Sequence, residues 1–149
     1  MKRFLTTMMA LLACASLGTA GEAKWLHDFE AAKAQAKEEN KPIFINFTGS
    51  DWCGWCIKLE KEVFKKKEFQ DYAKDNLVLM EVDFPEKKKQ PAEVKEQNKK
   101  LDKEFKIEGY PTLFLLDAEG KRISGDVGYR EGGPAAYVEH LKSLIEKKE

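Results

Sequence analysis

Cysteine is scarce in this 149-residue chain, which holds three. Histidine is scarcer still, with only His27 and His140, far apart. A zinc site built on a Cys-x-x-Cys pair needs a second pair of ligands, and Cys14 with two separated histidines does not supply one. Net charge is also absent, since 26 Lys and Arg balance 26 Asp and Glu. No strong field for nucleic acid or a membrane surface follows. There is no internal repeat, and the most apolar stretch, residues 4–17, is too short to span a bilayer.

That stretch follows the cations Lys2 and Arg3 and runs into Gly18-Thr19-Ala20, small residues of the kind a signal peptidase reads. Residues 1–20 therefore read as a signal peptide and residues 21–149 as one domain, exported and periplasmic. A competing reading is Leu11-Leu12-Ala13-Cys14, a loose lipobox, which would lipidate Cys14 and tether the protein to a membrane face. Cleavage of 20 residues leaves 129, enough for one domain with a proper core. The 26 basic residues fall to 24 against 26 acidic ones, a net charge of −2. Two cysteines remain, Cys53 and Cys56. An oxidising compartment penalises stray thiols, and a lone exchanging pair is what an exported redox protein can carry.

The chain is organised around Ser50-Asp51-Trp52-Cys53-Gly54-Trp55-Cys56. The preceding run, Ile43-Phe44-Ile45-Asn46-Phe47, is apolar on both faces and reads as a central strand of an α/β sheet. The segment after it, from Cys56 to Phe64, reads as a helix. Cys53 then sits at the first helical turn, where unpaired N–H groups and the positive end of the helix dipole favour an anion. A thiolate is such an anion, so its pKa is expected within roughly 3.5–7.5, below that of free cysteine. Spacing i, i+3 brings both sulfurs to one side of the turn, where they can close a disulfide and reopen it. A static structural disulfide is the bland alternative, but so small a loop stabilises little.

Trp52-Cys53-Gly54-Trp55-Cys56-Ile57-Lys58 resembles the active-site motif of the thioredoxin superfamily, and Gly109-Tyr110-Pro111-Thr112 resembles its cis-proline loop. The resemblance covers roughly residues 25–148. The lead Gly49-Ser50-Asp51-Trp52 is most similar to exported bacterial thioredoxin-like proteins and to the C-terminal domain of the thiol–disulfide interchange protein DsbD. It implies a thioredoxin-like α/β fold, with a central mixed sheet flanked by helices on both faces. It also implies that Pro111 is cis and abuts the disulfide. Two departures stand out. Asn46 occupies the place of the family's buried Asp, and Leu79 falls near the place of its partner Lys.

Element order gives the same architecture. Trp25, Leu26, Phe29, Ala32 and Ala36 recur at helical spacing with Asp28 as a cap. Strands are expected at residues 77–83, 113–116 and 123–127, with a hairpin turn at Ala118-Glu119-Gly120-Lys121. Further helices are marked by Phe69, Tyr72 and Ala73, by Val94, Asn98, Leu101 and Phe105, and by Tyr137, Val138, Leu141, Leu144 and Ile145. The 84–91 loop reads as a solvated insertion, with partner contact as the other reading.

These residues imply thiol–disulfide exchange. Cys53 attacks a substrate disulfide, and Cys56, the more buried thiol, resolves the mixed disulfide. Trp52 and Trp55 shape the site and the docking surface, Gly54 separates the thiols, and Tyr110 with Pro111 offers backbone to a substrate strand. Glu60, one turn after Cys56, reads either as a proton acceptor standing in for the missing Asp or as a solvent-facing partner of a Lys. No metal or organic cofactor is implied. Expected partners are disulfide-containing exported proteins and, by family analogy, a membrane electron donor of DsbD type, with no nucleic acid. Gly54-Trp55 carries no cation, while Asp51 and Glu60 add negative charge against a solvated Lys58, so the sequence favours a reductant. The alternatives are a disulfide oxidase or isomerase, or a chaperone-like binding module with little redox turnover, which insulin-disulfide reduction separates.

Overall fold

The computed structural model describes residues 22–147. Residues 1–20 and Cys14, which carry the export and lipidation readings, lie outside the described residues. In chain order the elements are β1 (Trp25–Leu26), α1 (Phe29–Glu39), β2 (Ile43–Thr48), α2 (Gly54–Leu59), a π-helical turn (Glu60–Phe64), α3 (Lys67–Asn76), β3 (Val78–Asp83), α4 (Ala92–Phe105), β4 (Thr112–Leu116) and α5 (Gly133–Glu146). The sheet order is β1-β3-β2-β4. β3 runs parallel to both β1 and β2, while β4 is antiparallel to β2.

All six residues of β2 are buried, as a central strand covered on both faces requires. Alternation splits them between two cores. Phe44 joins Leu79, Leu113 and Leu115 beneath Leu59, Phe64, Phe69 and Tyr137. Ile43, Ile45 and Phe47 join Met80, Val82, Phe114 and Leu116 beneath Ala32 and Ala36 of α1 and Leu101 of α4. The first face thus carries α2, the π turn, α3 and α5, and the second carries α1 and α4.

Two expected elements outside the motif need correction. Trp25 and Leu26 are not helical. They pair with Leu79 and Met80 as a short edge strand, because Asp28 starts α1 only at Phe29. Asp28 is extended, and its carboxylate accepts the Ala31 N–H at 2.9 Å. Residues 123–127 do not form a regular strand either. Ile123 and Val127 donate backbone N–H groups to Leu115 and Leu113, but the returning bonds go to side chains. Leu115 N–H donates to Ser124 Oγ at 2.8 Å and Leu113 N–H to Asp126 Oδ1 at 3.1 Å. Ser and Asp compete with backbone acceptors in this way, and here they close the edge of β4. The turn before them is as read: Asp117 N–H donates to Lys121 O, and Gly120 takes the left-handed φ of 87° that favours glycine.

The helix expected from Cys56 to Phe64 is α-helical only to Leu59 and turns π-helical from Glu60. Lys65 N–H donates to Glu60 O, a five-residue step, so the π turn separates α2 from α3 just behind the cysteines. Such turns concentrate at functional sites.

Candidate active site

The lead into the cysteines is latched to the end of β3. Ser50 donates from both N–H and Oγ to the Asp83 carboxylate, at 2.9 and 2.6 Å. Trp52 Nε1 donates to Phe84 O at 2.8 Å. Asp51 accepts three backbone N–H bonds, from Glu86, Lys87 and Lys88, at 3.0, 2.8 and 3.0 Å. The Glu86 N–H and then those of Lys87 and Lys88 hold the Asp51 carboxyl below its usual range, helped by the Lys88 charge and against some desolvation. The 84–91 loop is therefore a wall of the site rather than a loose insertion, and it engages the Asp51 charge. Gly49 makes the latch possible, because a Cβ there would overlap the Trp52 ring.

Cys53 and Cys56 form a disulfide, with Cα atoms 5.2 Å apart. Cys53 is the extended cap residue of α2, and its Sγ accepts the Cys56 N–H at 3.2 Å. That bond favours negative charge on this sulfur once it is free. Exposure does not rank the two residues, at 7% for Cys53 and 5% for Cys56. Cys53 stands out through its neighbours, since its Sγ also lies 3.7 Å from Tyr110 O. The Tyr110–Pro111 peptide bond is cis.

Aromatic rings flank the disulfide on both sides. Tyr110 stacks on Phe84 with centroids 5.3 Å apart and meets Trp52 edge-on at 6.0 Å. Its O–H donates to Asp102 at 3.1 Å, and burial together with the Asp102 charge pushes the phenol up to about 12. On the other side Trp55 lies 5.2 Å from Tyr129, and the Lys58 ammonium sits over both rings at 5.0 and 4.7 Å. Trp52 and Trp55 are the large exposed apolar side chains of the described residues. Nothing stands within 4 Å of where a Gly54 Cβ would lie, and Gly54 and Trp55 are exposed while both cysteines are buried.

Behind Cys56 is a cleft of about 300 Å³, lined by Asn46, Thr48, Ser50, Glu60, Glu81, Asp83 and Lys88 among others. Glu60 lines it and also faces Lys65 Nζ at 3.9 Å, the lysine pairing that its solvent-facing reading named. Burial raises the Glu60 carboxyl and Lys65 pulls it down. Glu81 went unread in the sequence. Burial first, then Asp83 and Glu60, push its carboxyl up to about 7 against the pull of Lys88. The available signal was an acid inside the otherwise apolar run 77–82. Among the described residues, no three His, Cys, Asp or Glu side chains are grouped to hold a metal ion.

The family profile described as a thioredoxin-like domain matches residues 29–136. The chain belongs to the thioredoxin-like family. It is 40% identical over 126 residues to the disulfide bond reductase DsbH of Chlamydia pneumoniae, covering 85% of this chain and 75% of that one. A solved DsbH oxidoreductase superposes with a TM-score of 0.79 at 36% identity, covering 97% of this chain and 95% of the other. The thiol:disulfide interchange protein DsbD of Pseudoalteromonas atlantica is 30% identical over 124 residues. Those are 82% of this chain but 19% of DsbD. With its Cys53–Cys56 pair, this member of the family is a thiol–disulfide oxidoreductase.

Proposed function

We propose that this oxidoreductase reduces disulfides of exported proteins, with Cys53 as the attacking thiol and Cys56 as the resolving thiol. The observation that carries the reading is the setting of Cys53 Sγ, which takes the Cys56 N–H at the start of α2 and lies 3.7 Å from the Tyr110 carbonyl oxygen, with exposed Trp52 and Gly54 on either side of Cys53 in the chain. The Cys53 thiolate attacks one sulfur of a substrate disulfide. The other substrate sulfur leaves with the electron pair, and a mixed disulfide remains. Cys56 then attacks Cys53 Sγ, the second substrate sulfur leaves, and the protein disulfide closes. Trp52, Trp55 and the Tyr110–Pro111 backbone form the docking face, on which an extended substrate segment pairs briefly.

The charge around the site supports this direction. A strong oxidant stabilises its reduced form through a very acidic thiol. Here Glu60, Glu81 and Asp83 line the cleft under Cys56 and work against a second anion. Asp51, which the sequence put in the same role, is engaged by loop amides instead. Equilibration with glutathione, read by Trp fluorescence, is expected to give a potential more negative than about −220 mV, where a strong oxidant lies near −120 mV. A value near the latter overturns the reductase reading in favour of an oxidase or isomerase.

The reading includes export, with residues 1–20 as the signal peptide, and a membrane electron donor of DsbD type that re-reduces the pair. Mass spectrometry of the native protein is expected to find a mature chain beginning near Gly21. A diacylglyceryl group on Cys14 moves the assignment to a membrane-tethered lipoprotein, and an intact Met1 overturns both.

A further inference from the structure

Glu81 takes no part in the exchange steps above, yet it occupies an unfavourable position. It is the one charged side chain in the run 77–82, whose other members are all buried, and a desolvated carboxylate is costly there. Directly across on β2 stands Asn46, also buried, with an Oδ1 that has no hydrogen-bond partner among the described residues. Residues in register in a parallel pair project from the same face. Both line the cleft that Cys56 borders, and its volume of about 300 Å³ has room for water between polar walls. On the side of β1, His27 Nδ1 lies 3.8 Å from Glu81 Oε1. The His27 side chain is 57% exposed and the Glu81 side chain 23%. A titratable carboxyl thus stands between the resolving thiol and solvent.

We propose that Glu81 accepts the Cys56 proton during resolution, through water in the cleft, and returns it to solvent past His27. This rests on Cys56 being the resolving thiol. In the mixed disulfide the Cys56 S–H bond breaks and its proton passes to the Glu81 carboxylate. The Cys56 sulfur bonds to Cys53 Sγ, the bond from Cys53 to the substrate breaks, and the electron pair leaves on the substrate sulfur. The cysteine pair is oxidised by two electrons and the substrate disulfide is reduced by two. Protonated Glu81 gains an O–H, the kind of donor that the orphan Asn46 Oδ1 lacks.

The surrounding charges favour this carboxyl over Glu60. Asp83 and Glu60 raise the proton affinity of Glu81, while Lys88 lowers it. Lys61 and Lys65 line the same cleft, but Lys65 faces Glu60, whose side chain is 40% exposed. The Glu81 carboxyl at about 7 is matched to proton transfer near neutral pH.

The test uses the full chain in its dithiol form and the chromogenic aryl disulfide DTNB. Attack by Cys53 releases one coloured thiolate, and resolution by Cys56 releases the second. In Glu81→Gln the second release is expected to slow by at least about tenfold at pH 7 and to lose its inflection near that pH, with the first release changed by less than about twofold. Glu81→Asp should restore part of the rate, and Glu60→Gln should keep the inflection. A second release in Glu81→Gln with the wild-type rate and pH profile overturns the proposal. Should that variant fail to fold, carbon-13 titration of the Glu81 carboxyl in the wild-type protein decides. A midpoint that moves between disulfide and dithiol forms supports coupling to the thiols, and an identical midpoint overturns it. Absence of a second release in the wild type would instead refute the roles given to Cys53 and Cys56, while the carboxyl titration still reads Glu81 on its own.

Discussion

Replacing Cys53 by serine is expected to abolish disulfide reduction, lowering the rate by at least about 1000-fold. Cys56→Ser is expected to stop the reaction halfway. Sγ of Cys53 accepts the Cys56 backbone N–H, a bond that a change of side chain at Cys56 leaves in place. The attacking thiolate therefore keeps its support when the resolving thiol is removed. Attack proceeds, resolution does not, and mixed disulfides with natural partners should accumulate on non-reducing gels. Cys53→Ser should show none, because the sulfur it removes is the one supported at the start of α2, where it accepts the Cys56 N–H beside the Tyr110 carbonyl. Insulin-disulfide reduction gives the rate and the gels give the trapped species. Trapping by Cys53→Ser instead of Cys56→Ser would reverse the assignment of the two thiols.

The cysteine pair was legible because its chemistry depends on local order: an apolar strand, a turn and a helix start, all within about 20 residues of sequence. The two-faced burial of β2 was legible for the same reason, since an unbroken apolar run fits few other places. Misreadings arose where a side chain outcompeted a pattern. Trp25 and Leu26 fit the helical period of α1, but Asp28 fixes the helix start beyond them, and Trp25 packs against Phe44 and Phe64 from a strand. Ile123 and Val127 alternate like a strand, but Ser124 and Asp126 take the amides of β4 themselves. The 84–91 loop looked solvated because its many lysines are exposed. Its attachment runs through backbone amides to Asp51, which composition does not reveal. Glu81 escaped because its meaning depends on Asn46, 35 positions earlier and adjacent only through strand register.

Phe44→Ala is expected to destabilise the folded domain by about 3–5 kcal/mol, the range for deleting a large buried aromatic ring. Phe44 is fully buried at the middle of the sheet, and its ring meets four others from four elements. Trp25 of β1 lies 6.3 Å away, Phe64 of the π turn 6.1 Å, Phe69 of α3 6.3 Å and Tyr137 of α5 6.4 Å. Those partners also touch one another, with Phe64 4.8 Å from Phe69 and 6.0 Å from Tyr137. Removing the shared ring leaves a cavity between rigid neighbours that collapse poorly. Such a loss is a large part of the roughly 5–15 kcal/mol that holds a typical domain together. The thermal midpoint should fall by at least about 10 °C, read by calorimetry alongside a urea titration. The exchange chemistry should survive in the folded fraction, because Phe44 belongs to the aromatic cluster while the latch of residues 50–52 runs through β3 and its loop. A loss below about 1 kcal/mol, well under that range, would mean that α3 and α5 close over the gap. The aromatic cluster would then not be what fixes the π turn and the cleft behind Cys56 against the sheet.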